Sequence, residues 1–108
     1  MTDLEMTRLC AEAMGLSVTL HPIRGTIMRY WFMEGSVERE YAPLHDDAQA
    51  MALVKKFYLL VNNGVGSSST NIWHVQTQDD KDESIENADL NRAIVECVAK
   101  MQAAKGQP

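Results

Sequence analysis

Thr26–Tyr41 reads TIMRYWFMEGSVEREY. Its first half is rich in aromatic and β-branched residues, the types that fit a pleated surface. Taken as a strand, it puts Ile27, Trp31 and Met33 on one face and Met28, Tyr30 and Phe32 on the other. A strand apolar on both faces is expected inside a sheet covered on both sides. Glu34, Gly35 and Ser36 then form a tight-turn signal. Beyond it Val37, Arg39 and Tyr41 alternate with Glu38 and Glu40, as in a half-exposed strand. The stretch predicts a hairpin. The preceding SVTLHP, with Val18 and Leu20 alternating against Ser17, Thr19 and His21, predicts a further strand.

Helical patterns flank this region. Thr2 with Glu5 fits a capping box and Gly15 a left-handed stop, so a first helix is expected over Asp3–Met14. Met6, Leu9, Cys10 and Ala13 share its apolar face, with Met14 at the edge. A second helix is expected after Asp46, which with Gln49 resembles a capping box. Its buried stripe is Ala50, Leu53, Val54 and Phe57, flanked by Met51 and Tyr58. Lys55 and Lys56 face water near the C-terminal end, where the macrodipole favours cations. A third helix starts at Asn87 or Asp89 and carries the stripe Leu90, Ala93, Ile94, Cys97, Val98 and Met101.

Between the second and third helices lie two shorter strands. Leu59–Val61 reads as one. Ile72–Thr77 reads as the other, with Trp73 and Val75 inward and His74 and Gln76 on the polar face. NNGVGSSSTN (Asn62–Asn71) reads as a mobile loop and QDDKDESIENA (Gln78–Ala88) as a solvated acidic linker; the tail from about 104 to 108 is expected to fray. The order is helix, two or three strands, helix, two strands, helix. It predicts an α+β class. The architecture expected is a three-layer α/β/α sandwich with a mostly antiparallel sheet and three helices.

The 108 residues suffice for one small domain. Acids outnumber Lys and Arg by 15 to 10, for a net charge of -5. Phosphate backbones attract basic surfaces, and the chain has no Lys/Arg run, so duplex DNA binding is expected to be weak and non-specific. No apolar run approaches the roughly 18 residues a membrane span needs. The N-terminus MTDLEMTRLC lacks a basic stretch followed by an apolar one and does not read as a signal peptide. Cys10 and Cys97 lack metal or redox spacing and are expected to be reduced thiols facing the core.

Three patterns could carry chemistry. PLHDDAQAM (Pro43–Met51) sets His45, Asp46 and Asp47 side by side, the residue types of a metal centre or an acid–base pair. A metal needs three or four converging ligands, and adjacent helical residues diverge. The same residues make an ordinary helix start, with Asp46 as N-cap and Asp47 favoured by the dipole. Pro43 would rigidify the entry and Leu44 would dock on the first turn. The Gly/Ser loop Asn62–Asn71 lacks the Gly-Lys-Ser/Thr ending of a phosphate loop. Cys97 with His45 or His74 could form a nucleophile and base, but a thiol inside an apolar stripe stays protonated. Trp31, Trp73 and Tyr30 lie on apolar strand faces and read as core. DDKDE (Asp79–Glu83) lacks the alternating ligands and glycine of a calcium loop.

PLHDDAQAMALVKKF, an isolated Trp73 in a strand and ADLNRAIVECVAKM together resemble the phage ABA sandwich domain, a family of small phage and prophage proteins. The resemblance covers most of the chain after Tyr41, and the first helix fits it too. It implies a three-layer α/β/α sandwich and a life in the bacterial cytoplasm. It brings no activity with it, and so no catalytic residue. The expectation is a small non-catalytic accessory protein that binds a protein partner or a second copy of itself. No catalytic residue, metal, cofactor, nucleic acid or membrane enters this reading. The alternative is a small-ligand module or enzyme with a pocket near His45, Asp46, Asp47 and Trp73.

Overall fold

The computed structural model describes residues 1–23, 25, 27–65, 71–78 and 84–105. The elements run α1 (Asp3–Ala13), β1 (Thr19–Ile23), β2 (Ile27–Glu34), β3 (Val37–Tyr41), α2 (Asp47–Phe57), β4 (Leu60–Val65), β5 (Asn71–Gln76), β6 (Ser84–Asn87) and α3 (Leu90–Lys105). This is an α+β fold of three helices and antiparallel strands. The six strands are shared between two sheets of three, ordered β1-β2-β3 and β4-β5-β6, where the sequence suggested one sheet.

The first sheet forms where the opening stretch leads. Glu34 pairs with Val37 across a two-residue connection. Gly35 occupies positive φ there (64°), as such tight hairpins require. Tyr30 and Phe32 face the core beside the buried Tyr41. The opposite face of β2 is not covered as its composition suggested. Ile27 is 53% exposed and Met33 60%. Between them Trp31 is half-buried, because the His21 imidazole stacks on it with centroids 5.0 Å apart. The cross-strand ion pair Arg29–Glu40 (3.3 Å) and the contact of the His21 imidazole with the Glu38 carboxylate (3.5 Å) lie on this outward face.

The second sheet corrects two readings. Asn62–Asn71 was expected to be a loop, but β4 continues through Asn62 and Asn63 to Val65, and β5 begins at Asn71. The Asn63 side-chain amide donates to the Ile72 carbonyl across the hairpin (3.3 Å). Gln78–Ala88 was expected to be linker, but Ser84–Asn87 is a strand. Its Ile85 lies opposite the fully buried Val75 and is itself buried. One apolar residue among acids gives no periodicity to read; the cross-strand pair supplies the burial. Residues 66–70 and 79–83 of those segments lie outside the described residues.

α3 is the hub. It packs against β5 and β6, against α1 and against α2. Val95 and Ala99 are buried along with the expected Ala93, Ile94, Cys97 and Val98. An apolar stripe of one face understates a helix covered from several sides. The helix also runs through Ala104 to Lys105, beyond the point where fraying was expected. α1 buries Met6, Thr7, Cys10 and Ala11. Arg92 donates two bonds to Asp3 (2.8 and 3.1 Å), and Gln102 donates to Glu12 (3.1 Å). Start therefore lies beside start and end beside end, so α1 and α3 run parallel.

The buried Tyr41 hydroxyl has no hydrogen-bond partner among the described residues. Burial, and then the neighbouring Cys10, push its pKa above the usual tyrosine value. An unsatisfied buried hydroxyl costs about 1–3 kcal/mol. Tyr41→Phe keeps the ring and its edge-on contact with Phe32 and deletes only that cost. Urea unfolding is expected to show equal or greater stability, by up to about 1 kcal/mol; a marked loss would reveal a partner for the hydroxyl.

Candidate functional site

His45, Asp46 and Asp47 lie at the turn joining β3 to α2. Pro43 and Leu44 are buried and anchor this turn from below. The next three side chains are exposed. Asp46 is the N-cap, and its carboxylate accepts from the Gln49 amide at 3.0 Å. The capping box is not reciprocal. The Gln49 side chain instead accepts from the Ala42 amide (2.7 Å) and donates to the Glu40 carbonyl (2.9 Å). That amide closes the end of β3 onto the first turn of α2.

Asp47 serves a second structural bond. Its carboxylate accepts from the Asn91 side-chain amide at 2.8 Å, linking the N-termini of α2 and α3. Asp89 repeats the capping device on α3, accepting from the Arg92 amide at 3.3 Å. The Asn87 side chain in turn accepts from the Asp89 amide (2.9 Å). Of the two residues proposed as starts of α3, Asp89 caps it, while Asn87 ends β6 and holds the Asp89 amide; the helix begins at Leu90.

The structure does not gather the candidate residues. His45 lines a small depression of about 90 Å³ between α1 and the first sheet, with Thr7, Arg29, Tyr30 and Glu40. Asp47 lines a different one, with Met51, Leu90 and Ile94. Trp73 lies half-buried on β5, between Asn63 and Asn87 in register, and lines neither. His74, on the other face of β5, pairs with Glu86 at 3.2 Å. Among the described residues no three of His, Cys, Asp and Glu are placed to hold a metal ion.

Cys10 and Cys97 are buried thiols without a disulfide. The Cys10 thiol donates to the Val95 carbonyl of α3 (3.4 Å). Burial, and then Cys97 nearby, raise its pKa from 9.0 to about 12. A thiol held neutral in this way is a packing group, not a nucleophile.

One feature had no signal in the sequence. An open groove of about 470 Å³ lies where α2 and α3 end, lined by Lys56, Phe57, Tyr58, Thr77, Gln78, Met101 and Lys105. Its walls come from three separate stretches of the chain, so no local pattern announces it.

Set against protein-family models, curated proteins and solved structures, the chain finds no match. Among the described residues no helix is long and apolar enough to cross a membrane.

Two measurements check this account. Asp46→Ala removes the cap and is expected to cost about 1 kcal/mol in urea unfolding, with Asp46→Asn largely restoring it. Equal stability of Asp46→Ala and the parent would deny the cap its role. Cys10 sets an alkaline limit. Below pH 9.0 the thiol is neutral folded and unfolded. Between 9.0 and about 12 the unfolded chain loses the proton first, so stability falls as pH rises. Cys10→Ala is expected to flatten that decline relative to the parent.

Proposed function

We propose that the chain is a small non-catalytic accessory protein that acts by binding another protein or a second copy of itself. The supporting observation is the outward face of β2, where Ile27 and Met33 lie more than half exposed on either side of Trp31. Exposed apolar side chains grouped on one face, rimmed by charge, are the usual mark of a protein contact. Arg29, Glu40, His21 and Glu38 form such a rim. The helix-start carboxylates fit the same reading, since Asp46 and Asp47 already serve structural bonds. The resemblance to the phage ABA sandwich family points to a phage or prophage origin and to action in the bacterial cytoplasm, where reduced Cys10 and Cys97 are at home.

The alternative, a small-ligand module, draws on the depression that His45 lines with Arg29 and Thr7. At about 90 Å³ it is smaller than the roughly 300–1,000 Å³ usual for a ligand pocket.

Sedimentation over a range of concentrations, with capture from bacterial lysate identified by mass spectrometry, tests the first reading. The parent is expected to self-associate or to retain a defined protein, and Ile27→Glu with Met33→Glu to abolish either without lowering the melting temperature. A parent that does neither, or a double variant that behaves as the parent does, overturns it. A melting-temperature rise with a metabolite or metal, lost in His45→Ala, would favour the second.

A further inference from the structure

The chain's positive charges are divided by type and place. Among the described residues, each of the four arginines pairs with a carboxylate: Arg8 with Glu12, Arg29 with Glu40, Arg39 with Glu34 and Arg92 with Asp3. None of the four described lysines does. Lys55 and Lys56 stand at the end of α2, and Lys100 and Lys105 near the end of α3. All four are exposed. Among the described residues, then, the lysines that pair with no carboxylate stand in the C-terminal halves of α2 and α3.

The helix macrodipole accounts for lysines at helix C-termini. It does not account for what lies between them. Phe57 and Met101 are half-buried in the open groove of about 470 Å³, with Lys56 and Lys105 beside them. The Lys105 ammonium lies 6.0 Å from the Phe57 ring centroid. Tyr58 stands at the groove 74% exposed. It closes α2 in the left-handed conformation (φ 52°, ψ 47°), a position where glycine is favoured and a side chain is strained. An exposed aromatic kept at a strained position is an observation from which function is reasonably argued.

We propose that this groove docks an acidic peptide segment of a partner protein, one that carries apolar side chains between its carboxylates. The carboxylates meet Lys56 and Lys105, and an apolar side chain meets Phe57, Tyr58 and Met101. The lysines supply the charge complementarity, and the aromatic floor supplies the anchor. A second copy of the chain is disfavoured as occupant because both copies carry net negative charge. A polyphosphate strand is disfavoured because it has no apolar side chain to meet Phe57, Tyr58 and Met101 between the lysines. The groove is distinct from the outward face of β2, so either surface can fail its test while the other stands.

The test is fluorescence anisotropy with a labelled peptide of alternating glutamate and leucine, on the whole chain. Saturable binding that weakens with added salt is expected. Lys56→Glu with Lys105→Glu is expected to weaken it about tenfold or more, as loss of facing charges does. Tyr58→Gly separates structure from recognition. It relieves the left-handed strain, so the melting temperature is expected to hold or rise while affinity falls. No saturable binding, or undiminished affinity in both variants, overturns the proposal. So does tighter binding of a single-stranded oligonucleotide than of the peptide.

Discussion

The burial of α3 is the constraint on which the rest of the molecule depends. Six of its residues, Ala93, Ile94, Val95, Cys97, Val98 and Ala99, are almost wholly removed from water. No single neighbour can cover so wide a surface. β5 and β6 take one side, and α1 and α2 take others. α1, α2, β5 and β6 are placed by their contact with this helix, and the first sheet is reached through α1. At about 25 cal/mol per Å² of apolar surface, such burial is the main favourable contribution to the fold. Small residues make the close approach possible. Ala11 and Cys10 on α1 and Ala50 on α2 are as buried as the α3 residues, and their short side chains let backbones come near.

Parallel packing of α1 on α3 carries a modest electrostatic cost, because like ends of two macrodipoles lie side by side. The polar links address this at the termini. Asp3 lies in the first turn of α1 and accepts from Arg92 in the first turn of α3. One carboxylate thereby sits near two positive helix starts and neutralises the arginine there. Between the ends, buried Met6, Cys10 and Ala11 supply most of the α1 surface, and the Cys10 thiol donates to the Val95 carbonyl. That environment gives both cysteines their character: they are close, buried and reduced, and they pack as small apolar groups.

The same economy governs the turn before α2. Asp46, Asp47 and Gln49 have the composition of a site, yet their polar atoms hold β3, α2 and α3 together. A carboxylate engaged with a backbone amide is a poor metal ligand and a poor base. Chemical opportunity lies instead where the fold leaves groups uncommitted. The outward face of β2 leaves apolar area uncovered, and at the ends of α2 and α3 the lysines pair with no carboxylate among the described residues.

Local chemistry in the sequence determined the helices, the hairpin and the caps. Thr2 and Asp46 bond the third amide of their helices, Gly35 turns the hairpin at positive φ, and Tyr41 faces inward on β3. Each depends on residues within a few positions of one another, so spacing alone reveals it. The tertiary structure decided what depends on distant pairs. Val75 opposite Ile85 makes a strand of an acidic stretch. Cover from several sides widens the stripe of α3. Two sheets form in place of one, and half of the doubly apolar β2 stays open: its outward face gains a histidine stack and an ion pair but leaves Ile27 and Met33 in water. The groove at the lysine end arises only when Phe57 and Met101 meet. Periodicity records which residues share a face, and only the assembled core records what lies against it.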